Sequence, residues 1–394
     1  MIVLGIRPDI INYQPIVREL EKRKRDTVIV HTGQHYSYFF DELFFKQLKF
    51  PKPDYHLKIG SGTQAQQLGK LVQKFEKVVL KEKPDIVFSF SDANPALSAI
   101  VATKMGIKVA HLEAGMRSYD WRMPEEKNRR IIDSFADYLF TPTTGTKKNL
   151  LKEGISPHRI FKVGKPVYDV LNNFKDEIEQ NDILEKLRIE KNNYFLVTAH
   201  RPENVNFEKP LKNIISALET IHKKYQKQII FPIHPRTRKS LKKFGIKISK
   251  GIRLFDPVGF LEFSKLEKNA FCCVTDSGTV QEDSCIFRVP CVTIRISTER
   301  AETVEVGSNI VAGLNKNHII QAVDVMINRK TNWKNPYGKP DSAKKTIEIL
   351  EEKRKEILKP KVWWEHPKIT KSYSISSNVK KWKNPLLPDG IMNS

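Results

Sequence analysis

The sequence predicts an α/β protein with two parallel sheets. Short β-branched runs alternate with longer amphipathic segments through nearly the whole chain, which is the pattern of strands joined by crossover helices. The chain has 394 residues and 40% hydrophobic content, enough to bury a large core and to form two domains. A charged and weakly patterned stretch at residues 175–192 divides the strands into two series. These observations predict two Rossmann-like halves that face one cleft, with a hinge within residues 164–192.

The predicted strands are divided equally between the two halves. The first series comprises residues 2–4, 27–31, 86–90, 109–112, 138–141 and 160–163. The second series comprises residues 195–198, 228–232, 253–255, 271–275, 291–294 and 309–311. We therefore expect an N-terminal domain of residues 1–168, a C-terminal domain of residues 169–354, and a tail of residues 355–394 that contains Lys, Pro, Ser and Trp.

Composition argues against several classes of protein. No apolar run approaches the roughly 20 residues of a membrane span, and the N-terminus lacks the pattern of a secretory signal. We therefore expect the protein to reside in the cytoplasm. The cysteines lie close together without metal-type spacing, so we expect buried thiols, no disulfide and no structural metal. They are Cys272, Cys273, Cys285 and Cys291.

The net charge of +23 is compatible with nucleic acid, membrane surfaces or anionic small molecules as partners. The lysines are scattered along helix-like stretches, such as residues 77–83 and 239–250, without interleaved aromatic residues. Such interleaving is typical of surfaces that bind single strands of nucleic acid. We therefore interpret the excess charge as solvated surface and expect no nucleic-acid partner.

The segment HLEAGMRSYDWRMPEEKNRR, residues 111–130, concentrates carboxylates and arginines directly after an apolar strand. Glu113 follows where a parallel strand delivers a side chain to the functional edge of a sheet. Glu125 and Glu126 follow Pro124 in the first turn of a predicted helix, near its positive end. In isolation such a pair usually marks a solvated helix start, but the neighbouring motifs favour a site that moves protons beside an anion.

Other strand ends carry groups that suit anions. Arg7 follows the first strand in place of a glycine-rich dinucleotide loop, and its planar guanidinium suits phosphate. Ser277 and Gly278 precede a predicted helix, whose first N–H groups can bind phosphate. His200 and His234 stand at equivalent strand ends of the second half, each close to an arginine. Two histidines in register favour anion binding.

These motifs, together with others, resemble those of the non-hydrolysing UDP-N-acetylglucosamine 2-epimerase family. The resemblance runs from the first residue to about residue 343. In order along the chain, the matching segments are GIRPDIIN, HTGQH, SDANPALSA, HLEAGMRS, PEEKNRR, VTAHRPENV, HPRT, TDSGTVQED and STERAETVEVG. The resemblance implies two Rossmann-like domains in the GT-B arrangement, a homodimer, and activity without a metal or a nicotinamide cofactor.

The resemblance also implies a reaction. Family members remove the C2 proton of the sugar and expel UDP from C1, which forms a 2-acetamidoglucal; protonation from the other face and re-addition of UDP complete the inversion. The C2 proton is not acidic without an adjacent carbonyl, so its removal must be coupled to departure of a stabilised leaving group. Carboxylates on opposite faces provide base and acid, and cationic groups stabilise the pyrophosphate.

Carried over position by position, the resemblance implies roles for individual residues. Asp92, Glu113 and Glu125 are implied as proton-transfer groups, with base and acid unassigned. His200 is implied as the catalytic histidine that holds the pyrophosphate, assisted by Arg7. The other implied substrate-binding positions are Asn12, His234, Phe263, Ser277, Gly278, Thr279 and Asp283.

Two of these positions have a particular expected contact. Asp283 stands where the family has a glutamate on the ribose hydroxyls; it is one methylene shorter but has the same charge. Phe263 matches an aromatic residue that packs against uracil, although the pattern fits a core phenylalanine equally well.

Because of departures from the family motifs, the sequence does not identify the sugar of the substrate. Asn12 replaces a lysine and removes a cation from the leaving-group end. The other replacements are at Ser91, Ala93, Thr279, Ile296 and Ala301. Some segments are similar to UDP-N-acetyl-L-fucosamine synthases, whereas GSGTQAQ and VPCVTIR resemble archaeal UDP-N-acetylglucosamine epimerases.

The leading hypothesis is therefore epimerisation of UDP-N-acetylglucosamine to UDP-N-acetylmannosamine. The alternatives are 2-epimerisation of a 6-deoxy or 3-amino UDP-sugar, a hydrolysing 2-epimerase, and a GT-B glycosyltransferase or silent nucleotide-sugar binder. Asn12 favours a silent site, whereas retention of all four implied catalytic residues argues against one.

Overall fold

The computed structural model describes residues 1–33, 38–90 and 92–358. Residues 359–394, which include the three tail tryptophans Trp363, Trp364 and Trp382, lie outside the described residues. So do Ser91 and part of the HTGQH segment. Within the described part of the chain, no helix is both long enough and apolar enough to cross a membrane.

The first sheet is parallel and has the order β3-β2-β1-β4-β5-β6-β7. Its strands are β1 (Ile2–Leu4), β2 (Ile29–His31), β3 (Tyr55–His56), β4 (Ile86–Phe90), β5 (Lys108–Leu112), β6 (Tyr138–Thr141) and β7 (Ile160–Lys162). The six strands predicted for this half are confirmed, and β3 is an addition that the sequence pattern did not indicate.

The second sheet is also parallel and has the order β10-β9-β8-β11-β12-β13. Its strands are β8 (Tyr194–Thr198), β9 (Gln228–Pro232), β10 (Ile252–Phe255), β11 (Cys272–Thr275), β12 (Cys291–Thr293) and β13 (Asn309–Val311). Central strands such as β11 are buried along their whole length, because helices cover both faces of the sheet. The predicted pair of Rossmann-like halves is therefore confirmed.

Helices connect the strands in both halves. In the first half they are α1 (Arg7–Lys22), α2 (Tyr38–Gln47), α3 (Gln64–Glu82), α4 (Ala99–Lys104), α5 (Pro124–Phe135), α6 (Thr144–Lys152) and α7 (Pro166–Asn173), with 3₁₀ turns at Asn94–Ser98 and Pro157–Arg159. Then follow α8 (Lys175–Gln180), α9 (Ile183–Lys186), α10 (Pro202–Val205), α11 (Glu208–Tyr225), α12 (Pro235–Lys243), α13 (Phe260–Lys268), α14 (Gly278–Phe287), α15 (Ala301–Glu305), α16 (Lys316–Ile327), α17 (Ser342–Glu352) and α18 (Arg354–Ile357).

Local sequence explains several helix starts. Thr63 caps α3 by accepting a hydrogen bond from the backbone N–H of Gln66, and the Gln66 side chain accepts in turn from the Thr63 N–H. Pro124 begins α5, as the sequence predicted, because proline loses nothing where the first N–H groups have no helical partner.

The chain crosses between the halves twice. The first crossing lies at α7, within the predicted hinge, and the second leads into α17. Although the sequence places it in the second domain, α17 packs Ala343, Ile347 and Leu350 into the core of the first sheet. Asp169 of α7 accepts hydrogen bonds from the backbone N–H and hydroxyl of Ser342, so the two crossings are joined.

Candidate active site

A cavity of about 540 Å³ opens where the carboxyl ends of the two sheets meet. In each sheet the strand order reverses beside the cavity, between β1 and β4 and between β8 and β11. Loops diverge at such a point and leave a crevice, which is where open α/β sheets bind ligands. Eight of the sequence-predicted site residues line this cavity, namely Asn12, Asp92, Glu113, Glu125, His200, Ser277, Gly278 and Thr279.

Glu113 lies directly after β5 in a left-handed backbone conformation, with φ of 63°. Such a conformation is costly for a residue other than glycine and persists only where surrounding contacts impose it. Buried Asp133 supplies those contacts: it accepts from the Gly115 N–H at 3.1 Å, from His111 Nδ1 at 2.8 Å and from Arg117 at 2.7 Å. The contacts of Asp133 therefore fix the loop on its buried side, while Glu113 faces the cavity.

Asp133 can hold this loop because it stays ionised. Burial alone would raise the pKa of Asp133, but His111 and Arg117 outweigh burial and lower it.

The two adjacent glutamates of α5 have different environments. Glu125 lines the cavity. Glu126 is fully buried and accepts from the Ser118 N–H at 2.8 Å and from Arg129 at 3.0 Å. Neighbouring positions on a helix point about 100° apart, which is why the two side chains have different surroundings. Glu126 therefore organises the loop that follows Glu113.

Asp92 follows the end of β4 and forms an ion pair with Arg129. Asn128 also donates to the backbone carbonyl of Asp92 at 2.8 Å. The ion pair with Arg129 holds the Asp92 carboxylate at the wall of the cavity.

Asp92 and Glu113 are the two ends of a buried chain of alternating charges that links both halves of the protein. In order, its members are Asp92, Arg129, Glu299, Arg300, Glu282, Lys165 and Glu113. We call this set the ion-pair chain. Arg129 lies 3.8 Å from Glu299, and Glu282 lies 2.7 Å from both Arg300 and Lys165.

Glu299 illustrates how these charges survive burial. Burial would raise its pKa, but Arg300, Arg295 and Arg129 outweigh that effect and hold the pKa well below its usual range. The ion-pair chain thus places anions and cations in alternation beside the cavity, where its four carboxylates, Asp92, Glu113, Glu282 and Glu299, line the wall.

The loop after β8 delivers His200 and Arg201 to the opposite side of the cavity. Asp276, which follows β11, accepts from both of their backbone N–H groups at 2.8 Å and from the Asn204 side chain at 3.0 Å. Another oxygen of the Asp276 carboxylate lies 3.2 Å from the His200 ring. One carboxylate therefore fixes the backbone of His200 and also lies beside its ring.

The imidazole of His200 lies beside that of His234, with ring centroids 5.7 Å apart. Burial lowers the pKa of His200. Asp276 opposes this shift, whereas the positive charges of Arg201, Arg7 and Arg236 add to it. Burial also lowers the pKa of His234 to about 4. His234 Nδ1 accepts from the Arg236 N–H at 3.1 Å, which leaves its other ring nitrogen as the N–H donor.

A second cavity, of about 280 Å³, shares His200, Ser277 and Thr279 with the first. The remaining sequence-predicted residues, Arg7, His234, Phe263 and Asp283, line this space. Phe263 is only partly buried, so its ring forms part of the cavity wall and also packs beside a small hydrophobic cluster. Pro232, Pro257 and Val258 add to this apolar wall.

Asp283 is almost completely buried at the edge of the second cavity. Burial and the neighbouring Glu282 raise the pKa of Asp283 well above its usual range. Burial and Asp283 likewise raise the pKa of Glu267. In the protonated form, a carboxyl group both donates and accepts hydrogen bonds, as sugar hydroxyls require.

The N-terminus of α14 faces both cavities: Ser277 occupies the N-cap position, Gly278 begins the helix, and Ser277 and Thr279 line both spaces. A Cβ on Gly278 would lie 2.5 Å from Cζ of Arg300, so the absence of a side chain lets the guanidinium pack against the helix start. Backbone N–H groups and an arginine thereby converge where an anion can bind.

Asn12 lies in α1 and is buried, with its side-chain amide donating to the carbonyl of Pro8 at 2.9 Å. Within the described residues its Oδ1 has no hydrogen-bond partner. The residue therefore lines the cavity with a neutral amide, where the family motif has a lysine.

Sequence reasoning did not single out the inner members of the ion-pair chain. Arg129, Glu299 and Arg300 stand inside motifs that carry the resemblance, so closer inspection of those motifs would have found them. Lys165 stands in the hinge segment VGKPV, and a charged residue between apolar neighbours was its one signal. Arg201 and Arg236, which line the cavity beside the histidines, were recognised only as neighbours.

The cysteines are buried and free, as predicted, and burial raises the pKa of each thiol. Among the residues that the structure describes, no group of three or more His, Cys, Asp or Glu side chains could hold a metal ion.

Fold and site together define a two-domain Rossmann-type protein with carboxylates and cationic groups facing each other across an interdomain cleft. A family model described as UDP-N-acetylglucosamine 2-epimerase matches residues 18–351. The chain belongs to this family.

Individual relatives agree with that assignment. The chain is 49% identical to the UDP-N-acetylglucosamine 2-epimerase of Methanocaldococcus jannaschii over 357 residues, which cover 89% of this chain and 98% of the relative. It is 36% identical to the UDP-2,3-diacetamido-2,3-dideoxy-D-glucuronate 2-epimerase of Pseudomonas aeruginosa, with 81% of this chain and 90% of the relative covered.

Solved structures confirm the GT-B type of fold. A crystal structure of the M. jannaschii UDP-GlcNAc 2-epimerase in complex with UDP-GlcNAc and UDP superposes with a TM-score of 0.85 at 49% identity. The superposition covers 89% of this chain and 99% of that structure.

Proposed function

We propose that this protein epimerises C2 of UDP-N-acetylglucosamine to form UDP-N-acetylmannosamine. Support comes from the 49% identity to an archaeal enzyme of that name over nearly its whole length. The structural observation that carries the proposal is the convergence of Asp92, Glu113 and Glu125 with His200 on one interdomain cavity. The reaction couples removal of a proton to departure of a diphosphate. It therefore requires carboxylates for the proton and, opposite them, positively charged groups that bind the diphosphate.

The reaction we propose begins when one carboxylate takes the C2 proton while the C1–O bond breaks and its electron pair leaves with UDP. The C2–H electrons form the C1=C2 bond of a 2-acetamidoglucal. A second carboxylic acid then protonates C2 from the opposite face, and UDP adds back to C1. Asp92, Glu113 and Glu125 are our candidates for these transfers, because each lines the cavity.

The leaving group lies, in this proposal, between the N-terminus of α14 and the histidines. His200, assisted by Arg7, binds the developing diphosphate charge, and Ser277, Gly278 and Thr279 donate to phosphate oxygens. The second cavity accommodates uridine, with Phe263 and the neighbouring prolines against the base and Asp283 against the ribose.

The experiment that tests this proposal is proton NMR with UDP-N-acetylglucosamine in D2O. Incorporation of deuterium at C2 and appearance of the manno epimer without free sugar are expected. UDP binding without exchange at C2 would contradict epimerisation of this sugar. Accumulation of free N-acetylmannosamine would instead indicate hydrolysis.

Glu113→Gln tests the role of one carboxylate. The amide has nearly the same shape but cannot accept the C2 proton, so we expect exchange to fall by about 100-fold or more with UDP affinity roughly unchanged. Glu208→Gln is the matched control, because Glu208 is an exposed surface residue with 51% of its side chain accessible. Preserved exchange in Glu113→Gln would remove Glu113 from the mechanism.

A second candidate substrate is a modified UDP-amino sugar. It is supported by the 36% identity to the P. aeruginosa enzyme named for a 2,3-diacetamido sugar acid, and by the neutral Asn12 at the leaving-group end. C2 exchange measured across a panel of 6-deoxy and 3-amino UDP-sugars distinguishes the two. A higher kcat/KM for a modified sugar would replace UDP-N-acetylglucosamine as the substrate.

Three further expectations rest on the sequence resemblance and composition. We propose that the protein forms a homodimer, that it works in the cytoplasm and that it does not bind nucleic acid. Sedimentation with and without DNA tests the first and third together. A monomer, or co-sedimentation with DNA at physiological salt, would contradict them.

A further inference from the structure

Lys165 is a buried cation that directly contacts one of the proposed proton-transfer groups. It occupies the N-cap position of α7 in the first crossing between the halves, and its side chain is fully buried. The ammonium forms ion pairs with Glu113 and, at 2.7 Å, with Glu282 of α14. The sulfur of Met116 lies 3.8 Å away. One ammonium is therefore shared between a carboxylate of the first half and a carboxylate of the second.

Other charged groups lie close to Lys165, Glu113 and Glu282. Arg300 contacts Glu282 at 2.7 Å from the loop before α15. Burial lowers the pKa of Lys165, an effect opposed by Glu282 and reinforced by Arg300. Glu302 on α15 interacts electrostatically with Lys165, and Asp283 on α14 interacts with both Lys165 and Glu282. Burial raises the pKa values of Glu302 and Asp283. The two carboxylates in contact with Lys165 oppose this effect of burial and favour its charged form.

Because Glu113 and Glu282 share the Lys165 ammonium, both neighbours affect the ionisation of Glu113. An adjacent cation stabilises a carboxylate relative to its protonated form, whereas an adjacent anion destabilises it. Glu282 also draws on the same ammonium, so it weakens the effect of Lys165 on Glu113. The ionisation of Glu113 therefore depends on two neighbours that act in opposite directions.

We propose that Lys165 is a positioning residue that keeps Glu113 ionised and directed into the cavity, and that Glu282 limits this effect by competing for the ammonium. The proposal rests on the proposed function, with Glu113 as the carboxylate that accepts the C2 proton. It adds a role for a hinge residue. It also makes the ionisation state of Glu113 dependent on the second half of the protein, because Glu282 belongs to that half.

The test is the pH dependence of C2 proton exchange in three full-length variants. Lys165→Met removes the cation, so the acidic limb of the rate profile is expected to move about one to two pH units upward. Glu282→Gln removes the competing anion and is expected to move the limb in the opposite direction, by about half a unit. Lys165→Arg retains the charge and is expected to return the limb close to its wild-type position.

A merely structural role for Lys165 predicts lower stability and lower rate without this pattern of opposite shifts. UDP binding reports whether each variant is folded. A folded Lys165→Met protein with an unmoved limb would overturn the proposal. If Lys165→Met does not fold, an unmoved or raised limb in Glu282→Gln overturns it equally. Absence of C2 exchange in the wild-type protein would refute the proposed function itself, which is a different outcome from exchange with unshifted limbs.

Discussion

Replacement of Asp276 by asparagine tests how the anion-binding side of the cavity is built. One oxygen of this carboxylate accepts three hydrogen bonds, from the backbone N–H groups of His200 and Arg201 and from the side chain of Asn204. Asp276 is fully buried, so water cannot replace these contacts. Asparagine has the same shape, and its carbonyl oxygen can occupy the same place, but it lacks the charge.

The magnitude follows from the number of contacts. A hydrogen bond to a charged acceptor contributes about 1.5–3 kcal/mol and one to a neutral acceptor about 0.5–1.5 kcal/mol. The loss is therefore about 1 kcal/mol for each of three bonds, or about 3 kcal/mol in the free energy of unfolding. Because the His200 loop is then held less firmly, we also expect the affinity for UDP to fall by about tenfold, which corresponds to about 1.4 kcal/mol.

Urea unfolding and calorimetric titration with UDP measure the two quantities. Asp256→Asn is the matched control, since Asp256 is 87% exposed and its ion pair with Arg238 lies at the surface. We expect the control to change stability by less than about 0.5 kcal/mol. An Asp276→Asn protein that equals wild type in both stability and UDP affinity would refute the role of this carboxylate.

Two predictions concern other parts of the site and the pH dependence of stability. Asn12→Lys restores a cation beside the cavity and is expected to raise kcat for epimerisation by about tenfold; a lower rate with unchanged folding would indicate a site adapted to another substrate. Burial lowers the pKa of His31 from 6.5 to about 4, with a smaller contribution from His56. The unfolded chain therefore takes up a proton below about pH 6.5 while the folded one does not, so this stabilisation is present above that pH and is lost as pH falls towards 4. We expect wild type to lose about 2 kcal/mol more than His31→Gln between pH 7.5 and pH 5 in urea unfolding, and equal losses would contradict the assignment.

The strands were predictable because helices cover both faces of each sheet. A strand buried on both faces becomes a largely apolar run, as in β4 and β11, and such runs are visible in the sequence alone. β3 was missed because it has two residues, lies at the sheet edge and is half exposed, so it carries no such run. The docking of α17 on the first sheet was missed because its amphipathic pattern specifies a buried face and not the partner that covers it.

The sequence by itself determined the fold class, the strands and the strand ends that carry Glu113, His200 and Ser277, because parallel topology places every carboxyl end at one edge. Only the tertiary structure decided which charges meet. Lys165 contacts Glu113 and Glu282, although these residues belong to distant parts of the chain. Local propensity and periodicity depend on near neighbours, whereas the ionisation of a buried group depends on every charge that the fold brings within a few ångströms.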